Sequence, residues 1–172
     1  MTTPGDGLYE KLSAFREDIF RVCLGFSRNV ADAEDLCQDV FLKALVRRDA
    51  LRDLGGARIW LLRIARTTCL DRIRREKRRP TVSLDAVPGA AASVTAGLSP
   101  SDPGPALLRI KQAVGRLPRK QREVFVLREY AGLSYEEIVR TLGLKMGTVM
   151  SRLNRARRAV AAEAGEESHE HE

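Results

Sequence analysis

Four arginines crowd the stretch from 152 to 158, at Arg152, Arg155, Arg157 and Arg158. Thr148, Ser151 and Asn154 stand before and among them, and no acidic residue occurs between 145 and 162. Val149, Leu153, Ala156 and Val160 recur at spacings of four, three and four, which makes one apolar stripe on a helix. Thr148, Ser151, Arg152 and Arg155 fall on the side away from that stripe, with Asn154, Arg157 and Arg158 flanking. Hydroxyl and amide groups at the start of such a helix can hydrogen-bond to base edges in a major groove. The guanidinium groups can pair with phosphates or with guanine. A helical hairpin whose basic face is merely solvated has the same spacing, so this pattern alone leaves both readings open.

A second cluster spans residues 58–79, with 9 basic and 2 acidic side chains. Arg58, Arg63, Arg66, Arg72, Arg74 and Arg75 surround the exposed side of this stretch, close to Trp60 and to Thr67-Thr68. Arginines beside hydroxyl groups can hold a phosphate backbone while a base is captured next to them. Trp60 sits at core spacing, and aromatic residues are only 5% of the chain, too sparse for a stacking platform. A third cluster is acidic. Asp35, Gln38, Asp39 and Leu42 share one helical face, which suits either a basic helix of a partner protein or simple solvation of an acidic helix. Carboxylates four apart can also share a metal ion, but neither histidine of the chain lies near them.

The bulk numbers narrow the field. The 172-residue chain carries 30 basic and 23 acidic residues, net +7. Residues 58–79 are net +7, residues 145–162 have 5 basic and no acidic residues, and the last ten have 5 acidic and no basic ones. Two separate basic blocks point to a polyanion gripped at two places. Cys23, Cys37 and Cys69 are odd in number and form no CxxC pair, which suits a reducing cytoplasm rather than a disulfide framework or a zinc site. No apolar run reaches membrane-spanning length and no secretory leader is expected. Gly55-Gly56 and the 143–147 segment lack the context of a phosphate loop, and no enzyme signature appears, so no catalysis and no cofactor are expected.

The elements that must position these residues read as helices throughout. A helix over 8–28 carries Leu8, Leu12, Phe15, Ile19, Val22 and Phe26 as one stripe. A second, capped by Asn29 or Asp32, buries Leu36, Val40, Phe41, Ala44 and Leu45. A third runs from Ala57 to about Arg79, with an irregularity expected at Thr67-Thr68 because two β-branched residues meet a shift of apolar phase. Residues 81–106 are rich in Pro, Gly, Ser and Ala and contain no basic residue, so they read as a flexible linker. Beyond it come helices over 107–116 and 119–130. A short helix over 135–142 follows, with a capping box from Ser134 to Glu137 and a stop at Gly143. The arginine-bearing helix starts near Gly147. The fold class is therefore all-α. A helical domain over 1–80 is followed by the linker over 81–106, a helix-turn-helix domain over 107–162 and an acidic tail over 163–172.

With these features in order, the chain resembles the extracytoplasmic-function sigma factors of the bacterial sigma-70 family. DAEDLCQDVFLKAL at 32–45 is similar to the helix that docks on the β′ clamp helices of core RNA polymerase. IWLLRIARTTCLDRIRREKRR at 59–79 is similar to the promoter-melting and minus-ten segment. The run LPRKQREVFVLREYAGLSYEEIVRTLGLKMGTVMSRLNRARRAV at 117–160 is similar to the minus-thirty-five reader.

The resemblance implies roles for these clusters. Asp35, Gln38, Asp39 and Leu42 would face core polymerase, with the β subunit a further contact. Arg58, Arg63, Arg66, Thr67, Asp71, Arg74 and Arg75 would lie along or near the minus-ten strand. Thr148, Ser151, Arg152, Asn154 and Arg155 would serve the minus-thirty-five groove, with Arg157 and Arg158 nearer its backbone. It also implies an anti-sigma partner and no membrane contact. Without the resemblance, a stand-alone helix-turn-helix regulator and a metal-dependent nuclease built on the acidic helix remain open. The chain departs from the family pattern at three positions. Thr67 replaces the usual Asn, which alters base capture. Met150 replaces a basic residue, which removes a phosphate contact. Val139 replaces a small Ala, from which a slightly wider helix spacing is expected.

Overall fold

A computed structural model describes residues 6–27, 29–51, 53–78 and 105–165. Every regular element among them is helical, and the chain divides into two units, within Met1–Leu98 and Ser99–Glu172. The expected linker over 81–106 lies outside the described residues except for its last two positions, where a helix already begins at Pro105. No helix among the described residues is long and apolar enough to cross a membrane.

The first unit contains α1 (Asp6–Ser13), α2 (Arg16–Phe26), α3 (Val30–Val46) and α4 (Ala57–Arg78), with two short 3-10 turns before α4. The single helix expected over 8–28 is two helices. The Phe15 amide donates to the Leu12 carbonyl at 3.0 Å, and the Ser13 hydroxyl donates to the Glu10 carbonyl at 2.6 Å. These tight local bonds compete with the helical ladder and close α1 before α2 starts. Leu12, Ile19, Val22 and Phe26 of the stripe are buried, whereas Leu8 and Phe15 are only partly so. Asn29 caps α3, its side chain accepting from the Asp32 amide at 2.8 Å.

The break expected at Thr67-Thr68 does not occur, and α4 runs without interruption for 22 residues. The Thr67 hydroxyl folds back to donate to the Arg63 carbonyl at 2.9 Å. Thr68 is buried, and its hydroxyl accepts from Lys43 Nζ of α3 at 3.1 Å. The apparent shift of phase arises because Thr68 and Cys69 belong to the buried stripe with Leu61, Leu62 and Ala65. Tertiary burial overrides the weak local propensity of two threonines. Helices α2, α3 and α4 pack on one another around this stripe. Cys69 Sγ donates towards Cys23 Sγ at 3.9 Å, and that contact together with burial pushes the Cys23 thiol pKa up. Cys23 therefore stays protonated, and both buried cysteines serve as core.

The second unit contains α5 (Pro105–Arg116), α6 (Arg119–Phe125), which continues as a π-helical turn over Val126–Tyr130, α7 (Tyr135–Leu142) and α8 (Met146–Gly165). Helix α8 packs against α5, α6 and α7. Ser134 and Glu137 form the expected capping box, with 2.8 Å and 3.2 Å between the reciprocal partners. Gly143 takes φ +64°, where a Cβ is strained, and the Gly143 and Leu144 amides both donate to the Val139 carbonyl. Helix α8 extends beyond the expected end at Ala162. Glu163, placed in the solvated tail by the sequence reading, is helical and pairs with Arg116 of α5 at 3.2 Å. The rest of the expected acidic tail, with His169 and His171, lies outside the described residues.

Candidate nucleic-acid and polymerase interfaces

Helix α8 is anchored by Val149, Leu153, Ala156 and Val160, all buried. That fixes its rotation and turns the opposite side outward. Ser151, Asn154, Arg155, Arg157 and Arg158 are exposed, and Thr148 and Arg152 are half-buried at the edge. The Ser151 hydroxyl donates to the Thr148 carbonyl at 3.2 Å. Among the described residues Arg152, Arg155 and Arg158 make no ion pair, whereas Arg157 is held by Glu129 Oε1 at 2.9 Å and 2.6 Å. That charge-assisted contact with Glu129 raises the Arg157 pKa further. The result is a helix end rich in hydroxyl groups leading into a run of cations, on a rigid two-helix frame.

Three residues missed in the sequence brace that frame. Arg128 donates to the Leu133 carbonyl at 2.7 Å, and its guanidinium lies 5.2 Å from the Tyr135 ring centroid. Glu129, next in the chain, reaches α8 across 28 positions. Arg128 and Glu129 belong to the π-helical turn, which nothing in the local sequence signals. The only sequence clue to Glu129 is its charge, opposite to that of the basic run.

On α4 the exposed row is Arg63, Thr67, Arg74 and Arg78, with half-buried Asp71 among them. These cations are interleaved with acids. Arg74 pairs with Asp71 at 3.2 Å, and Arg75 Nε donates to the Asp71 carbonyl at 3.4 Å. Arg72 pairs with Glu76 at 2.8 Å and with Asp32 of α3 at 3.5 Å. Arg58 is turned to Asp18 of α2 at 2.7 Å, with both side chains 27% exposed. Arg63 and Arg66 also have partners. Trp60 is partly buried.

On α3 the structure brings Asp35, Gln38, Asp39 and Leu42 onto one exposed face. Leu42 is 61% exposed and Val46, one turn on, is 83% exposed. Beside them Tyr9 of α1 meets Phe41 edge-on, with centroids 6.3 Å apart. The acidic face thus ends in an exposed apolar row of Leu42 and Val46. Val46 was not singled out from the sequence, because its place at the end of the helical period leaves burial undecided. Among the described residues no group of three or more His, Cys, Asp and Glu side chains could hold a metal ion.

Comparison with known proteins converges on one family. The Sigma-70 region 2 family matches residues 12–79, and the Sigma-70, region 4 family matches residues 107–160. The ECF RNA polymerase sigma factor SigW of Bacillus subtilis is 32% identical over 165 residues, covering 90% of this chain and 87% of that protein. SigC of Mycobacterium tuberculosis, another ECF sigma factor, is 31% identical over 160 residues, covering 93% and 84%. Among solved structures, the sigma factor RpoE of Bartonella quintana, in complex with the anti-sigma factor NepR, aligns with a TM-score of 0.66 and 28% identity. That alignment covers 91% of this chain and 93% of that one. CnrH, in complex with the cytosolic domain of CnrY, shares the fold at a TM-score of 0.62 and 24% identity, covering 89% and 84%. With both regions matched in order, the chain belongs to the ECF sigma factors of the sigma-70 family, subunits that bind core RNA polymerase and direct it to promoters.

Proposed function

We propose that three faces divide the work of this sigma factor. The α3 face of Asp35, Gln38, Asp39 and Leu42, extended by Val46, docks on the β′ clamp helices of core polymerase. The α4 row of Arg63, Arg66, Thr67, Arg74 and Arg75 follows the minus-ten strand, with Asp71 orienting Arg74 and Arg75. Arg58 holds α4 to α2 through Asp18 and reaches the strand only if that pair opens. Helix α8 enters the minus-thirty-five groove with Thr148, Ser151, Arg152, Asn154 and Arg155. Arg158 lies along the phosphates, and Arg157 joins it when it leaves Glu129.

No bond is made or broken by the protein itself. Holding unpaired bases offsets the few kcal/mol needed to unstack each one. The two helical units, ending at Arg78 and starting at Pro105, belong to one chain, so each raises the effective concentration of the other at the promoter. An anti-sigma partner of the kind bound to RpoE, and a cytoplasmic setting, belong to the same proposal. The observation that carries the α8 assignment is its run of cations with no acid on the same helix until Glu163.

Site-specific photo-crosslinking in the holoenzyme tests the division. A crosslinking residue at Asp39 is expected to capture a polymerase subunit, one at Thr67 the non-template strand, and one at Arg155 the upstream duplex. Capture of duplex DNA from Asp39, or of polymerase alone from Arg155, overturns the assignment of that face.

A further inference from the structure

Among the described residues the second unit exposes three large apolar side chains: Leu107, Met146 and Met150. Two of them stand on the first two turns of α8. Met146 is 37% exposed and Met150 54%. Being four apart, they share one flank of the helix, and Asn154 continues that flank one turn on. The core stripe runs through Val149 and Leu153, so neither methionine is needed to seat α8.

A bare thioether among cations has no use for a phosphate, because it carries no charge and donates no hydrogen bond. In a major groove one apolar group projects from the base edges, the C5-methyl of thymine. The residues of a helix-turn-helix that reach base edges come from the start of its second helix, where both methionines sit. An unbranched side chain with three rotatable bonds also adapts to the height of a methyl group.

We propose that Met150, supported by Met146, is a specificity-determining residue of α8 that takes up thymine C5-methyl groups in the upstream promoter element. This rests on the reading of α8 as the helix that enters the major groove. It gives Met150 a task that a basic residue at the same place does not perform: selecting thymine, at the expense of a phosphate contact.

The test uses holoenzyme assembled from core polymerase and the full chain. An upstream element is first selected from random duplexes, and each thymine is then replaced singly by deoxyuridine, which lacks only the methyl. The wild-type protein is expected to lose about three- to five-fold in binding at one or two positions. Met150→Leu keeps that sensitivity, whereas Met150→Ala and Met150→Lys bind thymine and deoxyuridine duplexes alike. Tolerance of every deoxyuridine by the wild type, or an undiminished loss in Met150→Ala, overturns the proposal while leaving α8 as the groove helix. Failure to select any upstream element overturns the reading of α8 and this inference with it.

Discussion

The two arginine-bearing helices differ in how their charge is held. On α4, Arg58, Arg72 and Arg74 each have a carboxylate partner, and Arg75 leans on the Asp71 carbonyl. On α8, Arg152, Arg155 and Arg158 have no ion pair among the described residues, and Arg157 alone is tied down. Surface pairs of the α4 kind contribute little to stability, but they orient the guanidinium groups. A polyanion approaching α4 exchanges one set of partners for another, whereas one approaching α8 meets cations that surrender only water and counterions. On the proposed assignment, duplex anchoring by α8 is expected to be the more salt-dependent process, and strand holding by α4 the more geometric one.

The largest expected effect separates the two regions outright. Leu153 is buried at the centre of the second unit, and Leu153→Ala costs about 2–5 kcal/mol there. A thermal melt followed by circular dichroism is expected to lose the second unit and keep the transition of the first. Loss of both together would show that the regions are not independent. Next, Arg152→Ala is expected to weaken initiation at the selected promoter by about 1–3 kcal/mol, read as transcript yield against promoter concentration. Unchanged initiation removes Arg152 from the reading set.

Ser134→Ala removes one half of the capping box and is expected to lower the stability of the second unit by about 1 kcal/mol, measured by urea denaturation. Asp39→Arg sharpens the contrast from the other side. It places a cation on the acidic face and is expected to reduce affinity for core polymerase several-fold through like-charge repulsion, as titrated by fluorescence anisotropy. Equal affinity would mean that another face docks. The smallest effect is the most diagnostic. Glu129→Gln removes the charge that holds Arg157 and is expected to steepen the salt dependence of upstream duplex binding by up to about one unit of slope. An unchanged slope would keep Arg157 off the phosphates.

Much of the second unit was legible because its signals are local. The capping box at Ser134, the turn at Gly143 and the stripe from Val149 to Val160 each depend on residues within one or two turns. They are recovered where expected. The first unit was harder to read. Leu8 and Phe15 have helical spacing, yet α1 ends at Ser13, where local bonds to the Glu10 and Leu12 carbonyls close it before α2 begins. Thr67-Thr68 looked like a break because propensity was weighed without the Lys43 ammonium that waits for the Thr68 hydroxyl.

By itself the sequence determined the helical periods, their caps, the two basic blocks and the motif order that marks the family. All of these follow from spacing along the chain, because a helix brings together residues three and four apart. Only the tertiary structure decided which cations are engaged by acids of another element. Asp18 reaches Arg58 across 40 positions and Glu129 reaches Arg157 across 28. It likewise decided that Val46 and Met150 stay exposed while Thr68 is buried. Partnership and burial are properties of the distances between elements, and those distances exist only after the helices have packed.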